Sequence, residues 1–200
     1  MDLPDLLEPE RISCRCDIQS KKRTLQTVAE LLGGSLRAKA QAASALEAIA
    51  NGDDSTTEEV KAAASAKGKN TRKTGDNSGA EPETPSDMVI LDALIGRERL
   101  GSTGLGHGVG LPHSRLSSIK EPIAALVTLD QGVDYESADG QAVDLVFGLL
   151  VPEDCNDEHL QILAQLARRF SDEKLRNELR AFADPAGLYA HLDSLPPATD

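Results

Sequence analysis

The sequence predicts an α/β domain built from layers of sheet and helix. Residues 143–151 form an almost continuously apolar run between Gly140 and Pro152, which is typical of a central strand covered by helices on both faces. Residues 123–129 form a second apolar run that is rich in strand formers. Helical patterns crowd toward the carboxyl end of the chain, and strands mixed with helices indicate this layered class.

The first predicted element is a strand over residues 11–18, where apolar and polar residues alternate. Cys14 and Cys16 would then lie together on its buried face as small apolar groups. A metal motif is the alternative interpretation of this pair, but no Cys or His pair with zinc spacing lies nearby. We therefore expect both thiols to belong to the core.

Two helices are predicted after this strand. Ser20 suits an N-cap, and apolar residues recur at helical spacing up to Leu32. The pair Gly33-Gly34 predicts the end of this helix, and the alanine-rich residues 36–50 predict a second one.

Residues 51–87 have the composition of a disordered insertion. Val60 is the only large aliphatic residue among them, and the others are mostly small, charged or proline. Such a segment buries too little apolar surface to offset its conformational entropy. The predicted organisation is therefore one domain in two parts, 1–50 and 88–193, with the second part carrying the active site.

Order is predicted to return after the insertion. Ser86-Asp87 suits a helix start, and an apolar stripe that includes Met88, Leu91 and Ile95 continues through to Leu100.

Three further helices are predicted near the carboxyl end. Leu160 and Phe170 share the apolar face of the first of them. The first of these helices is predicted over residues 157–170, the second starts at Ser171-Asp172, and the third starts at Asp184-Pro185.

Composition and charge limit the classes of function. The 200 residues carry a formal net charge of −12, whereas nucleic acids and anionic membranes both require a basic surface. No apolar run approaches the length of about 20 residues that a membrane span needs. The amino terminus lacks the basic and apolar regions of a signal peptide, and three cysteines do not make a disulfide framework. We expect a cytoplasmic protein without nucleic-acid binding or membrane insertion.

The glycine-rich stretch that ends at His113 is the most informative motif. Four glycines alternate with other residues over 104–110, a pattern that weakens strand and helix and favours close approach of the backbone to a ligand. Pro112 restricts the backbone just before the histidine. Free backbone N–H groups, the hydroxyls of Ser102 and Thr103 and a positioned imidazole suit a phosphoryl group, with His113 as its nucleophile.

The other three histidines carry weaker signals. His107 lies six residues before His113, but no third ligand is evident for a metal ion. His159 lies at the start of a helix that follows a strand, and its spacing alone favours a surface histidine. His191 lies near a helix C-terminus, where a cation complements the helix dipole. Four carboxylates are likewise expected to complement a helix dipole rather than to form an acid–base pair: Glu153, Asp154, Asp157 and Glu158.

Residues 97–113 resemble the active-site signature of the mannitol/fructose-type enzyme IIA proteins of the bacterial phosphotransferase system. They read Arg-Glu-Arg-Leu-Gly-Ser-Thr-Gly-Leu-Gly-His-Gly-Val-Gly-Leu-Pro-His. Residues 143–152 and 159–163 resemble later motifs of that family, and the resemblance covers residues 10–34 and 86–192 in all. The segment Gln19-Ser20-Lys21-Lys22 is similar to the nitrogen-regulatory branch, whose members are free-standing phosphocarriers.

The resemblance implies a mixed sheet flanked by helices and a phosphotransferase. We expect no cofactor and no metal ion. His113 would accept a phosphoryl group on Nε2 from an HPr-like phosphohistidine protein, with Arg97 and His159 flanking it. The implied partners downstream are regulated proteins such as potassium transporters or sensor kinases. Two other functions stay open: a sugar-transport enzyme IIA that passes the phosphoryl group to a IIB domain, and an inactive binding module.

Two features depart from the family pattern. Ser114 replaces the glycine that usually follows the active histidine, and the insertion at 51–87 has no counterpart in the pattern. Neither removes the residues that the resemblance assigns to the site.

Overall fold

A six-stranded mixed β-sheet forms the centre of the structure, a computed structural model that describes residues 3–50, 84–155 and 157–196. The strands are β1 (Ile12–Cys16), β2 (Gly104–Gly106), β3 (Val109–Gly110), β4 (His113–Leu116), β5 (Ile123–Val133) and β6 (Val143–Pro152). The helices are α1 (Leu3–Leu6), α2 (Lys21–Ala50), α3 (Asp87–Glu98), α4 (Asp157–Ser171), α5 (Glu173–Ala181) and α6 (Pro185–Ser194), with a 3₁₀ turn at Pro9–Arg11.

Strand β6 is the centre of the sheet, as its apolar sequence predicts. The strand order is β1-β5-β6-β3-β2, and β4 also pairs with β6. Strands β5 and β6 are antiparallel, whereas β3 and β4 both run parallel to β6 along the same edge. Val109 lies opposite Leu145 of β6, and His113 lies opposite Leu149 of β6. Strands β3 and β4 therefore pair with successive parts of β6, and only Leu111 and Pro112 separate them in the chain.

Helices cover both faces of this sheet. On one face, side chains of β5 and β6 pack with α1, α4, α5 and α6, where the rings of Phe147 and Phe170 lie 5.6 Å apart. On the other face, Val127 and Val146 pack with residues of α2 and α3 such as Val28 and Ile90. The implied mixed sheet flanked by helices is therefore confirmed.

Helix α2 does not end at Gly33-Gly34, so the predicted pair of helices is wrong. The helix starts after Ser20, whose Oγ accepts a bond from the Arg23 N–H at 3.3 Å, and continues to Ala50. A Cβ atom at Gly33 would clash with Oδ1 of Asp87. The glycine therefore leaves room for the Asp87 side chain and is not a helix stop.

Cys14 and Cys16 lie on opposite faces of the sheet, so their predicted common face is also wrong. Cys14 packs against the cluster beneath α4 and α6, whereas Cys16 packs against the cluster beneath α2 and α3. Between them the pairing register shifts, and Arg15 adopts a left-handed backbone with φ of 51°. A bulge of this kind breaks the period of two on which the prediction depended.

The predicted insertion at 51–87 lies mostly outside the described part of the chain, and the helix start predicted at Ser86-Asp87 is confirmed. Residues 51–83 lie outside the described part of the chain, but 84–87 lie within it. Ser86 is the N-cap of α3 and accepts a bond from the Val89 N–H at 3.3 Å. Asp87 begins the helix and pairs with Arg37 at 2.6 Å.

Several positions in the predicted helices also differ. Helix α3 ends at Glu98 rather than at Leu100, and Met88 is exposed whereas Ile90 is buried. Leu160 is 63% exposed, although the helical pattern placed it in the core. The predicted starts of α5 and α6 are confirmed by side-chain caps from Asp172 and Asp184. Within the described ranges, no helix combines the length and apolarity that crossing a membrane requires.

Candidate active site

His113 opens strand β4 at the edge of β6, with its side chain half-buried. Its Nδ1 lies 2.9 Å from the carbonyl oxygen of Leu111, and Nε of Arg97 donates to its Nε2 at 3.1 Å. A carbonyl oxygen only accepts and a guanidinium only donates. The proton of His113 therefore lies on Nδ1, and Nε2 is the unprotonated nitrogen, whose lone pair accepts the bond from Arg97.

Arg97 reaches the histidine from the last turn of α3. Its Nη1 also donates to the carbonyl oxygen of Gly101 at 3.1 Å, which ties the guanidinium to the start of the glycine-rich loop. The cation at this helix end complements the helix dipole. The structure therefore brings Arg97 and His113 together, 16 residues apart in the chain.

His159 lies beside His113, in the first turn of α4. The two rings have centroids 5.4 Å apart, tilted by 56°. His159 is only 6% exposed, so it is a buried histidine and not the surface residue that its spacing favours. The predicted trio of Arg97, His113 and His159 is thus gathered at one place.

The surroundings of both histidines lower their pKa values, which favours the neutral forms. Burial lowers the pKa of His113, and the nearby charges of Arg97 and Arg115 lower it further, against the opposing effect of the bond to Leu111. Burial also lowers the pKa of His159, helped by His113, Arg115 and Arg97. A neutral imidazole retains the lone pair that a nucleophile needs.

Arg115 is a site residue that our reading of the sequence missed. Its Nη2 lies 3.3 Å from Nδ1 of His159. Because side chains two apart on a strand point to the same face, its position two residues after His113 was a usable signal.

Glu98 was missed as well, and it clamps the loop that leads to His113. Its carboxylate accepts the backbone N–H of Thr103 at 3.0 Å, and the Thr103 hydroxyl also donates to it. Lys21 of α2 pairs with the same carboxylate at 2.7 Å and also donates to the carbonyl oxygen of Tyr135. Since Glu98 follows Arg97 directly, this network links the loop, α2 and the end of α3.

The hydroxyls of Ser102 and Thr103 have partners inside the protein. Ser102 Oγ donates to the carbonyl oxygen of Tyr135 at 2.7 Å, and Thr103 Oγ1 donates to Glu98. Thr103 is only 5% exposed. Their assignment as phosphate ligands stays a prediction, and in this arrangement neither hydroxyl proton is a free donor.

His107 forms the turn between β2 and β3, with a left-handed φ of 55°. Its N–H donates to Asp139 at 2.8 Å, and its carbonyl oxygen accepts from Arg180 at 2.9 Å. In residues 3–50, 84–155 and 157–196, no group of three or more His, Cys, Asp or Glu side chains could hold a metal ion. These contacts give His107 a structural role in the hairpin.

The remaining candidates lie apart from this trio. His191 Nε2 lies 3.0 Å from the Glu178 carboxylate, and its ring packs on Phe182. Glu153 and Asp154 are exposed after β6.

Comparison with known proteins gives the family. Residues 79–194, more than half of the chain, match the family described as "Phosphoenolpyruvate-dependent sugar phosphotransferase system, EIIA 2". A nitrogen regulatory protein of Bradyrhizobium diazoefficiens is 41% identical over 120 residues, which cover 60% of this chain and 78% of that protein. A nitrogen regulatory protein of Pseudomonas aeruginosa is 45% identical over 102 residues, covering 51% of this chain and 66% of that protein.

A solved structure extends this likeness to nearly the whole chain. The crystal structure of nitrogen regulatory protein IIA-Ntr from Neisseria meningitidis matches with a TM-score of 0.66 at 26% identity, over 95% of this chain and 98% of that one. This chain belongs to the EIIA type 2 family of the phosphoenolpyruvate-dependent sugar phosphotransferase system.

Proposed function

We propose that this protein is a cytoplasmic phosphocarrier of a regulatory phosphotransferase system. His113 takes up a phosphoryl group from the phosphohistidine of an HPr-like carrier protein. The observation that supports this most directly is the anchored imidazole: Nδ1 bonded to Leu111 and Nε2 facing Arg97 with its lone pair. The names of the similar nitrogen regulatory proteins favour the regulatory branch.

The proposed transfer forms one bond and breaks one. The lone pair of His113 Nε2 bonds to phosphorus while the bond between phosphorus and the donor's ring nitrogen breaks. The electron pair of the broken bond stays on the donor imidazole. His113 keeps its proton on Nδ1, where the Leu111 carbonyl oxygen accepts it and stabilises the positive charge that the ring then shares.

Arg97 has two tasks in this proposal. Before transfer its Nε–H donates to His113 Nε2, which holds the ring in position. After transfer that lone pair is part of the new bond to phosphorus, so the guanidinium donors turn to the phosphoryl oxygens. A planar guanidinium offers several fixed donors to such oxygens.

The proposed transfer requires little further chemistry from the protein. Phosphoryl transfer depends mainly on alignment and on stabilisation of the charge on the transferring group. Arg97, Arg115 and His159 surround His113 with two positive charges and a neutral imidazole.

The phosphorylated protein differs from the free one by added negative charge, which partner proteins recognise. By analogy such partners are potassium transporters or sensor kinases.

The test is intact-protein mass spectrometry after incubation with phosphoenolpyruvate, enzyme I and an HPr-type carrier. We expect the wild type to gain one acid-labile phosphoryl group and His113→Ala to gain none. His107→Ala, which changes an exposed histidine of the same loop, is the matched control and should be labelled normally. Full labelling of His113→Ala would overturn the site, and an unlabelled wild type beside a charged carrier would favour an inactive binding module.

The phosphorylated protein also distinguishes a regulatory role from a role in sugar transport. A sugar-transport enzyme IIA passes its phosphoryl group to a IIB domain, so mixing labelled protein with fructose- and mannitol-type IIB domains provides the comparison. We expect the label to stay on His113. Rapid, complete transfer to one IIB domain would contradict the regulatory assignment and leave the phosphocarrier chemistry intact.

A further inference from the structure

The Nε2 atom of His159 is a buried polar atom without a hydrogen-bond partner in the described part of the chain. Its residue is 6% exposed, so water cannot readily replace the missing partner. Buried polar groups are nearly always satisfied, and an exception requires an explanation. The position of this atom, on the ring next to His113, suggests that its partner arrives with the reaction.

Arg115 determines what this nitrogen can do. An arginine has donors only and stays protonated at any physiological pH. Because Nη2 of Arg115 lies 3.3 Å from Nδ1 of His159, that Nδ1 must accept and cannot carry a proton. A neutral His159 therefore has its proton on Nε2, and the unpartnered atom is a donor.

We infer that Arg115 is a positioning residue that fixes His159 as its Nε2–H tautomer and keeps that N–H available for an oxygen of the phosphoryl group on His113. This inference rests on the proposed function. Both nitrogens of His113 already have partners, Leu111 for Nδ1 and Arg97 for Nε2. The acceptors that the reaction adds are phosphoryl oxygens, on a ring whose centroid is 5.4 Å from that of His159.

The pairing of β4 with β6 fixes the positions of both His113 and Arg115. Along β4, His113 lies opposite Leu149 and Arg115 lies opposite Val151 of β6. Strand β6 ends at Pro152, and α4 then brings His159 back beside β4. The nucleophile and the residue that orients its neighbour are therefore fixed together by the pairing of β4 with β6.

The test is the protonation of each His159 nitrogen, read from long-range proton–nitrogen NMR spectra of the full chain at neutral pH. His159→Gln assigns the signals by their loss. In the wild type we expect a bare Nδ1 and a protonated Nε2. Arg115→Glu places an acceptor at Nδ1 and should move the proton there, whereas Arg115→Lys keeps a donor and should preserve the wild-type pattern.

Each outcome of the NMR measurement either supports or contradicts the inferred role of Arg115. A proton on Nδ1 of the wild type, or an unchanged tautomer in Arg115→Glu, would overturn the role of Arg115. The wild-type spectrum decides by itself if Arg115→Glu does not fold, because it needs no variant at position 115. A merely structural arginine would not change which nitrogen is protonated.

Phosphoryl transfer from the charged carrier tests the second half of the inference. We expect Arg115→Glu to slow labelling about tenfold or more relative to Arg115→Lys, as for loss of a donor to a developing anion. The expected tautomer with equal labelling rates would show that the Nε2–H does not serve the phosphoryl group. Failure of the wild type to accept a phosphoryl group would instead contradict the proposed function, and the tautomer would be measured independently of it.

Discussion

Arg97 donates a hydrogen bond from Nε to the Nε2 atom of His113 at 3.1 Å. In the free protein this bond holds the imidazole, and in the proposed reaction the same lone pair bonds to phosphorus. The guanidinium must therefore exchange one partner for another during transfer. Its second anchor, the Gly101 carbonyl oxygen at 3.1 Å from Nη1, keeps it in place while this happens.

Arg97→Gln should slow phosphoryl transfer to His113 by about a hundredfold, because it removes the fixed donors to the phosphoryl oxygens. Arg97→Lys should recover only part of the rate, since a lysine supplies charge without a planar fork of donors. The measurement is the single-turnover labelling rate at saturating carrier. Arg23→Gln, which changes an exposed arginine of α2, is the control and should match the wild type. Equal rates for Arg97→Gln and Arg23→Gln would remove Arg97 from the mechanism.

Glu98→Gln should both destabilise the fold and slow transfer. The largely buried carboxylate accepts two donors of Thr103 and pairs with Lys21, and the amide cannot satisfy all of them. We expect a loss of about 2 kcal/mol in the free energy of unfolding, as for bonds to a buried charged group. The labelling rate should fall as well, because Glu98 is adjacent to Arg97 in the last turn of α3.

Glu136→Gln is the matched control for this variant. Glu136 pairs with the same Lys21 at 2.9 Å, but its side chain is 79% exposed. An exposed pair contributes little, so we expect a change below about 0.5 kcal/mol and a normal labelling rate. Urea unfolding of both variants is the measurement. Equal losses would show that the position of Glu98 under the loop has no special importance.

Acidification should destabilise the protein through His113 and His159. The pKa values of His113 and His159 are lowered in the folded state, chiefly by burial. Below the ordinary histidine pKa of about 6.5, the unfolded chain therefore binds more protons than the folded one. The free energy of unfolding falls as pH falls through that window toward the lowered values, and it recovers above the ordinary pKa.

The check is the melting temperature of wild type and His159→Gln from neutral pH down to about pH 5. The wild type should lose more stability than the variant, because the glutamine side chain of the variant has no proton to take up. His107→Gln, at the exposed hairpin turn, should follow the wild type. A variant curve parallel to that of the wild type would contradict the neutral burial of His159.

Replacing residues 51–83 with a short Gly/Ser linker should change the free energy of unfolding by less than about 1 kcal/mol, since loop-closure cost grows slowly with length. Extending the deletion through residue 87 should cost about 1 kcal/mol more, because it removes the Ser86 cap and the Asp87 pair with Arg37. Ser86→Ala in the full chain isolates the cap. Urea unfolding measures all three, and a large loss for the 51–83 replacement alone would show that this segment packs on the domain.

Local features of the fold follow from the sequence because their physics is local. The near-continuous apolar run of β6 identifies a central strand, and Ser20, Ser86, Asp172 and Asp184 cap the helices that their positions predict. The glycine-rich loop and its histidine are a contiguous motif. Their resemblance to enzyme IIA proteins is confirmed by the family match.

Contacts between distant segments were decided only by the tertiary structure. The bulge at Arg15 separates Cys14 from Cys16, and Gly33 leaves room for the Asp87 side chain rather than ending α2. Each depends on a neighbour that is far away in the chain, so no local period could reveal it.

In the candidate active site, too, some residues could be predicted from the sequence and others became evident only in the fold. By itself the sequence predicted His113 as the nucleophile, since the histidine and its loop are one continuous segment, and the resemblance predicted Arg97 and His159 beside it. Only the fold decided that Lys21 pairs with Glu98 and that Arg115 contacts His159, 44 residues away. The physical reason is that hydrogen bonds join atoms that are close in space, and strand pairing and helix packing decide which distant residues become close.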